Sequence, residues 1–181
     1  MSKRLCCSVF FIACVAFALR AAILYVIGRG MPVPGPANAP YGFEVGRVAE
    51  SIALGKGFSS PLLLVDTGPT AYLCPAYPYL LASIFKLWGI YSLKSRMIIQ
   101  TLNCLFSALT IFPIYAIAKR TFGGTVAVFS SWLWVVLPTA WHIPIADIWD
   151  TALSAFCFAV IFLATLALSE QRQLIRWAGY G

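Results

Sequence analysis

Long apolar runs alternate with short polar turns along this chain, and the length of each run decides what it can become. A helix needs about 20 apolar residues to cross the hydrocarbon core of a bilayer. Runs over residues 5–28, 97–118, 122–141 and 148–168 approach or meet that length and predict four membrane spans. The stretch PAYPYLLASIFKLWGIY does not, because between Pro78 and Gly89 it is too short to cross and carries Lys86. It predicts a helix lying in or dipping into the interface, with a fifth span begun by Pro75 as the alternative. A long loop over residues 29–95 separates the first two spans and opens on GRGMPVPGPANAP, a connector too rich in proline and glycine to be helical. Beyond it Val45, Val48, Ala49 and Ile52 recur at i, i+3, i+4 and i+7, and the run stops at Gly55 and Gly57. That spacing predicts a short amphipathic helix lying on the bilayer. Its polar side carries Glu44, Arg47 and Ser51, with Glu50 nearby.

Composition supports the membrane reading. The chain is 61% hydrophobic and 10% charged, with a mean hydropathy of +0.85, whereas a soluble domain carries about 25% charged residues. The start, MSKR followed by LCCSVFFIACVAFAL, has the layout of a signal peptide. The run continues past Arg20 through AAILYVIG, however, which predicts a retained anchor. A net charge of +7 raises the question of nucleic acid. The basic residues are dispersed, with no arginine-rich helix, so no nucleic acid is expected, and anionic lipid or a phosphorylated substrate is the better counterpart.

Cys6, Cys7, Cys14, Cys74, Cys104 and Cys157 show no CxxC or Cys/His ligand spacing. They read as small buried hydrophobes, with Cys6 and Cys7 as acylation candidates at the cytoplasmic edge. With four spans and a cytoplasmic start, Lys3, Arg4, Lys119, Arg120, Arg172 and Arg176 fall inside. Arg29, Arg47, Lys56, Lys86, Lys94 and Arg96 fall outside, an equal count that leaves the positive-inside rule undecided. An anionic partner on the outer side would account for the basic residues there.

Few residues offer chemistry. Glu44 opens the predicted amphipathic helix, where the backbone dipole favours an ionised carboxylate. It is a candidate base, and equally an acid that stabilises its own helix and contacts Arg47. Lys94 and Arg96 in SLKSR stand at the mouth of the second span, where an ammonium and a guanidinium side by side suit a phosphate. They also suit plain interfacial anchoring. Arg20, within its span, either snorkels or faces the bundle. PTAWHIPIADIWDT reads as a second outer loop in which His142, Asp147 and Asp150 match no strong metal motif, and Asp147 or Asp150 would cap the last span. Tyr72, Tyr77, Trp141 and Trp149 fit an aromatic belt or a sugar-stacking surface. No GxSxG, HExxH, P-loop or dinucleotide fingerprint is present.

The order of these stretches resembles the N-terminal part of the GT-C membrane glycosyltransferases, in particular the protein O-mannosyltransferase and lipid A aminoarabinose transferase group. FALRAAILYV is similar to that group's first span with its arginine. EVGRVAESIALGKGFSSP is similar to its acid-bearing helix and glycine turn, and GPTAYLCPAYPYLLASIFKLWG to the proline-tyrosine stretch and interfacial helix that follow. SLKSRMIIQTLNCLFSALTIFPIYAIAKRTFG and IADIWDTALSAF resemble the next spans.

The resemblance implies transfer of a sugar from a polyprenyl-phosphate carrier to a lipid, protein or glycan hydroxyl at the outer face, with inversion. Glu44 would be the catalytic base. Arg96, with Arg47 or Lys94, would stabilise the departing phosphate, and Tyr72 and Tyr77 would line the substrate site. Some relatives carry an acidic-basic pair where Leu73 and Cys74 stand, so no metal is expected, and no cofactor is called for.

The expectation is therefore an all-α, multi-pass membrane protein of about four spans with an extracytoplasmic juxtamembrane helix pair. Residues 1–181 would form one membrane domain of a plasma (inner) membrane protein, its site on the extracytoplasmic side. Members of the group are much longer, and the chain stops at RQLIRWAGYG where another span is expected. It is thus expected to be the N-terminal fragment of a longer GT-C module, inactive alone if truncated, or half of a split enzyme. The rivals are a non-catalytic multi-span scaffold or subunit, in which Glu44 and Arg47 only pair on a surface helix, and a transporter fragment built around Arg20, Gln100 and Asn103.

Overall fold

The structure, a computed structural model, describes residues 8–30, 40–62 and 67–169. Lys3, Arg4, Cys6, Cys7, Arg172, Arg176, the connector over 31–39 and the terminal RQLIRWAGYG lie outside the described residues. The described part is helical: α1 (Val9–Gly30), α2 (Phe43–Ala53), α3 (Ala76–Trp88), α4 (Leu93–Leu109), α5 (Ile111–Phe122), α6 (Gly124–Val136), α7 (Pro138–Ala146) and α8 (Thr151–Ser169). No strand is present among the described residues; one isolated bridge joins Ser59 to Pro69.

Among the described residues three stretches are long and apolar enough to span a membrane: Val9–Val26, Leu93–Phe122 and Thr151–Leu168. The second unites α4 and α5 through Thr110, whose hydroxyl donates to the Phe106 carbonyl at 2.8 Å. A fourth crossing forms if α6 and α7, bent by 40° at their junction, act as one broken span. The expected third span therefore exists in two pieces. PTAWHIPIA, expected as loop, is helix α7, with Pro138 in its first turn, where a missing N–H is harmless. The first span also reaches Gly30, taking three residues from the expected connector.

The packing runs antiparallel. At one end α1 meets α4, α5 and α6 around Ile12, Ala16, Ala108, Ile111 and Val135. Toward the other, Leu24, Cys104 and Ile145 pack together, and α2 and α3 cap the bundle. A buried stripe of α4 binds it all. Gln100 Nε2 donates to the Ile145 carbonyl at 2.6 Å, Ser107 Oγ donates to the Ala140 carbonyl at 2.6 Å, and Asn103 Oδ1 accepts from the Tyr77 hydroxyl at 3.0 Å. Arg20 is fully buried and donates to three backbone carbonyls. These bonds engage Arg20, Gln100 and the Oδ1 of Asn103, the polar residues on which a transport path would have been built, while Asn103 Nδ2 is buried without a partner among the described residues.

The apolar stripe of α2 is real but serves another purpose than expected. Val45, Val48 and Ala49 are buried, and Val45 and Ala49 share a core with Tyr77, Leu81, Phe85 and Tyr91. The stripe is spent on α3, so it cannot also be the face that lies on lipid. The cap uses outward side chains of α3 instead: Tyr79, Leu87 and Trp88 are exposed. At 13 residues, or about 20 Å, α3 cannot cross. The helix ends follow local chemistry. Gly55 takes a positive φ of 79°, its N–H donates to Ile52 O and that of Lys56 to Ser51 O, the paired bonds of a Schellman stop. Ser92 caps α4 by accepting from the Ser95 N–H at 3.1 Å.

Of the cysteines described, Cys104 is buried, whereas Cys14, Cys74 and Cys157 are exposed, and all four are free. The expectation of uniform burial fails because Cys14 and Cys157 stand on the outward faces of span helices, where lipid is a sufficient apolar neighbour.

Candidate functional site

The site begins with an unusual turn. Gly42 has φ 81° and Phe43 φ 47°, two successive left-handed residues of which the second carries a bulky side chain. Such conformations are costly outside glycine and are held only where surrounding structure enforces them. Here the enforcement is visible. Gly42 O accepts from the Gly46 N–H at 2.9 Å, and Gly42 lies so close to Ile148 that an added Cβ would sit 3.2 Å from its Cγ2. The turn therefore presses the start of α2 against the segment that follows α7. It also places Glu44 in the first turn of α2, at the positive end of the helix dipole.

Between these elements lies a cavity of about 660 Å³, within the range of small-molecule sites. Glu44 and Arg47, three residues apart on one helical face, line it together with Arg96 from the first turns of α4 and Asp147 from the end of α7. Phe43, Leu62 and Ile148 give it apolar walls. Among the described residues, the charged groups of the lining are two carboxylates and two guanidiniums, drawn from three separate segments of the chain.

Behind the cavity stands an aromatic wall. Tyr41 meets Phe85 and Tyr91 edge-on, with centroids at 5.9 and 5.2 Å. Burial pushes the Tyr41 phenol well above its ordinary range, opposed by the charge of Arg96. Burial does the same to Tyr91, reinforced by Glu50 and opposed by Arg47. Both hydroxyls therefore stay neutral beside the charged residues.

Of the residues singled out from sequence, Glu44, Arg47 and Arg96 come together; Lys94, Tyr72 and Tyr77 do not line the cavity. Lys94 is exposed. Two residues along a helix point to nearly opposite sides, so Lys94 and Arg96 do not stand side by side as expected. Tyr72 is exposed in the loop before α3, and Tyr77 is buried in the α2–α3 core. Asp150 stands directly before α8: its carbonyl accepts the first helical bond, from the Ser154 N–H at 2.8 Å, and its carboxylate accepts from the Ser154 hydroxyl at 3.4 Å. Asp147, weighed from sequence as a metal candidate or a cap, instead ends α7 in extended conformation and faces the cavity. Spacing does not separate the two, because the last apolar run, 148–168, begins directly after Asp147, whereas the helix itself starts at Thr151. Among the described residues no three His, Cys, Asp or Glu side chains cluster as a metal site.

Comparison with known families adds one decisive match. The model of the dolichyl-phosphate-mannose-protein mannosyltransferases matches residues 69–181, more than half of the chain. The chain belongs to this family. It is thus a GT-C-type glycosyltransferase family member, and its apolar helices are those of an integral membrane protein. Arg96 and Asp147 fall within the matched segment of this mannosyltransferase family member, while Glu44 and Arg47 precede it. Neither the curated proteins nor the solved structures return a significant match.

Proposed function

We propose that this mannosyltransferase family member transfers a sugar from a polyprenyl-phosphate carrier to a hydroxyl of a lipid, protein or glycan acceptor. The site is the cavity at the α2 end of the bundle, on the extracytoplasmic face of the plasma (inner) membrane. The observation that carries the reading is the shared cavity of Glu44, Arg47 and Arg96.

Transfer from such a carrier makes two demands. The acceptor hydroxyl must lose its proton as it attacks the anomeric carbon, and the departing phosphate must be stabilised as charge grows on it. Glu44 meets the first as general base, from the first turn of α2 at the cavity wall. Arg96 and Arg47 meet the second, since guanidiniums bind phosphate oxygens bidentately. Attack from the face opposite the phosphate inverts the anomeric centre. Asp147, across the cavity, is placed to accept hydrogen bonds from sugar hydroxyls. The position of the cavity at a bundle end lets an isoprenoid tail remain in lipid while the phosphate enters.

The test is transfer from a polyprenyl-phosphate sugar by membranes carrying the protein, comparing wild type with Glu44→Gln. Loss of a general base lowers turnover by about 10²- to 10⁴-fold, and donor binding is expected to survive. Equal turnover of the two proteins, or a wild type inert toward every such donor, would overturn the proposal.

A further inference from the structure

An α-helical carbonyl at position i is satisfied by the N–H of residue i+4, and a proline at i+4 has none to give. In the broken span α6–α7 this happens twice. Trp134 stands four residues before Pro138, and Ala140 stands four before Pro144. In a membrane span an unpartnered acceptor is costly. Both carbonyls are met by one side chain. Arg20 Nη2 donates to the Trp134 carbonyl at 3.1 Å, and Arg20 Nε donates to the Ala140 carbonyl at 3.2 Å. Nη1 donates to the Ala16 carbonyl at 3.0 Å, anchoring the group to its own helix.

We infer that Arg20 is a positioning residue: its guanidinium replaces the two N–H donors that Pro138 and Pro144 withhold, and so fixes the bend that carries Asp147 to the cavity wall. The match is specific in number and place, because among the described residues each hydrogen bond of this fully buried guanidinium ends on a backbone carbonyl. A planar fork fixed in direction can serve carbonyls on two turns of a bent helix, which a lysine ammonium on a flexible stem cannot reproduce. Ser107 shares the Ala140 carbonyl and Gln100 holds the Ile145 carbonyl, so α1 and α4 grip α7 from two sides. Ala146, Asp147 and Ile148, immediately beyond, line the cavity. The inference stands on these hydrogen bonds and does not require the transfer reaction.

A double-mutant cycle tests it, read by thermal unfolding in detergent and by the distance between spin labels at Phe129 on α6 and His142 on α7, both exposed. Arg20→Met in the native background is expected to lower the midpoint and to shift and broaden the distance distribution. Pro138→Ala with Pro144→Ala returns both N–H donors. In that background the drop caused by Arg20→Met is expected to be roughly halved or less, and the distance distribution narrow again at a longer mean, as the helix straightens. A buried arginine that merely filled space would lower the midpoint equally in both backgrounds and leave the label distance unchanged; either result overturns the inference. Should Arg20→Met fail to fold, Arg20→Lys serves in its place, with the same coupling expected and the same additivity refuting.

Discussion

The Tyr77 hydroxyl donates to Asn103 Oδ1 at 3.0 Å, and both residues are buried. This bond joins the α2–α3 cap to the stripe of α4 that also holds α7. Tyr77→Phe leaves Asn103 Oδ1 without its donor, which costs about 1–3 kcal/mol. Thermal unfolding should show the loss while the KM for a sugar donor stays within roughly twofold, given that Tyr77 lies outside the cavity. A raised KM at unchanged stability would place Tyr77 at the substrate instead.

Gly46 sits inside α2, where alanine would ordinarily gain about 1 kcal/mol of helix propensity. A Cβ there would run into the Tyr41 carbonyl, well inside contact distance. Tyr41 cannot retreat easily because its ring is wedged between Phe85 and Tyr91. Overpacking of this kind costs about 1–3 kcal/mol, so Gly46→Ala should destabilise on balance. A midpoint equal to or above wild type would show that the turn at Gly42 and Phe43 is looser than described.

Tyr41, Tyr77 and Tyr91 all have phenols pushed upward chiefly by burial. Their ordinary value is 10.0. Below pH 10 both folded and unfolded chains keep these protons, and the stabilisation is complete. Above it the unfolded chain ionises while the folded one does not, so stability falls as pH rises. Tyrosinate absorbance should therefore show these three of the 8 tyrosines titrating only with unfolding. Smooth titration of all of them in the folded protein would contradict their burial.

The two aspartates near α8 should separate cleanly. Asp150 stands at the N-terminal end of α8, where the helix dipole favours a carboxylate, and Asp150→Ala is expected to lower stability by about 0.3–1 kcal/mol. Asp147 is exposed at the cavity, and Asp147→Ala should leave the unfolding midpoint nearly unchanged. The reverse order would exchange their roles.

Much of this architecture was legible locally. The stripe Val45, Val48, Ala49 gave α2 its buried face, Gly55 its stop, and the spacing of Glu44 and Arg47 put both on the cavity side. What could not be read were relationships made by distant segments. The helicity of PTAWHIPIA depends on Arg20 and Ser107 serving a carbonyl that Pro144 cannot, so the local signal correctly said breaker while the fold supplied donors from elsewhere. The α2 stripe gave no indication of whether lipid or α3 would cover it. Asp147 looked like its neighbour Asp150 until the close approach of Gly42 to Ile148 brought it to the cavity that Glu44 also lines.

Binding of a polyprenyl phosphate without sugar to the purified protein tests the central claim most directly. Arg96→Ala removes a charge-assisted contact worth about 1.5–3 kcal/mol, so affinity should fall at least about tenfold. Arg120→Ala, at the end of α5 far from the cavity lining, should bind as wild type does. Equal affinity of Arg96→Ala and wild type would mean that the cavity of Glu44, Arg47 and Arg96 is not where a lipid phosphate is held.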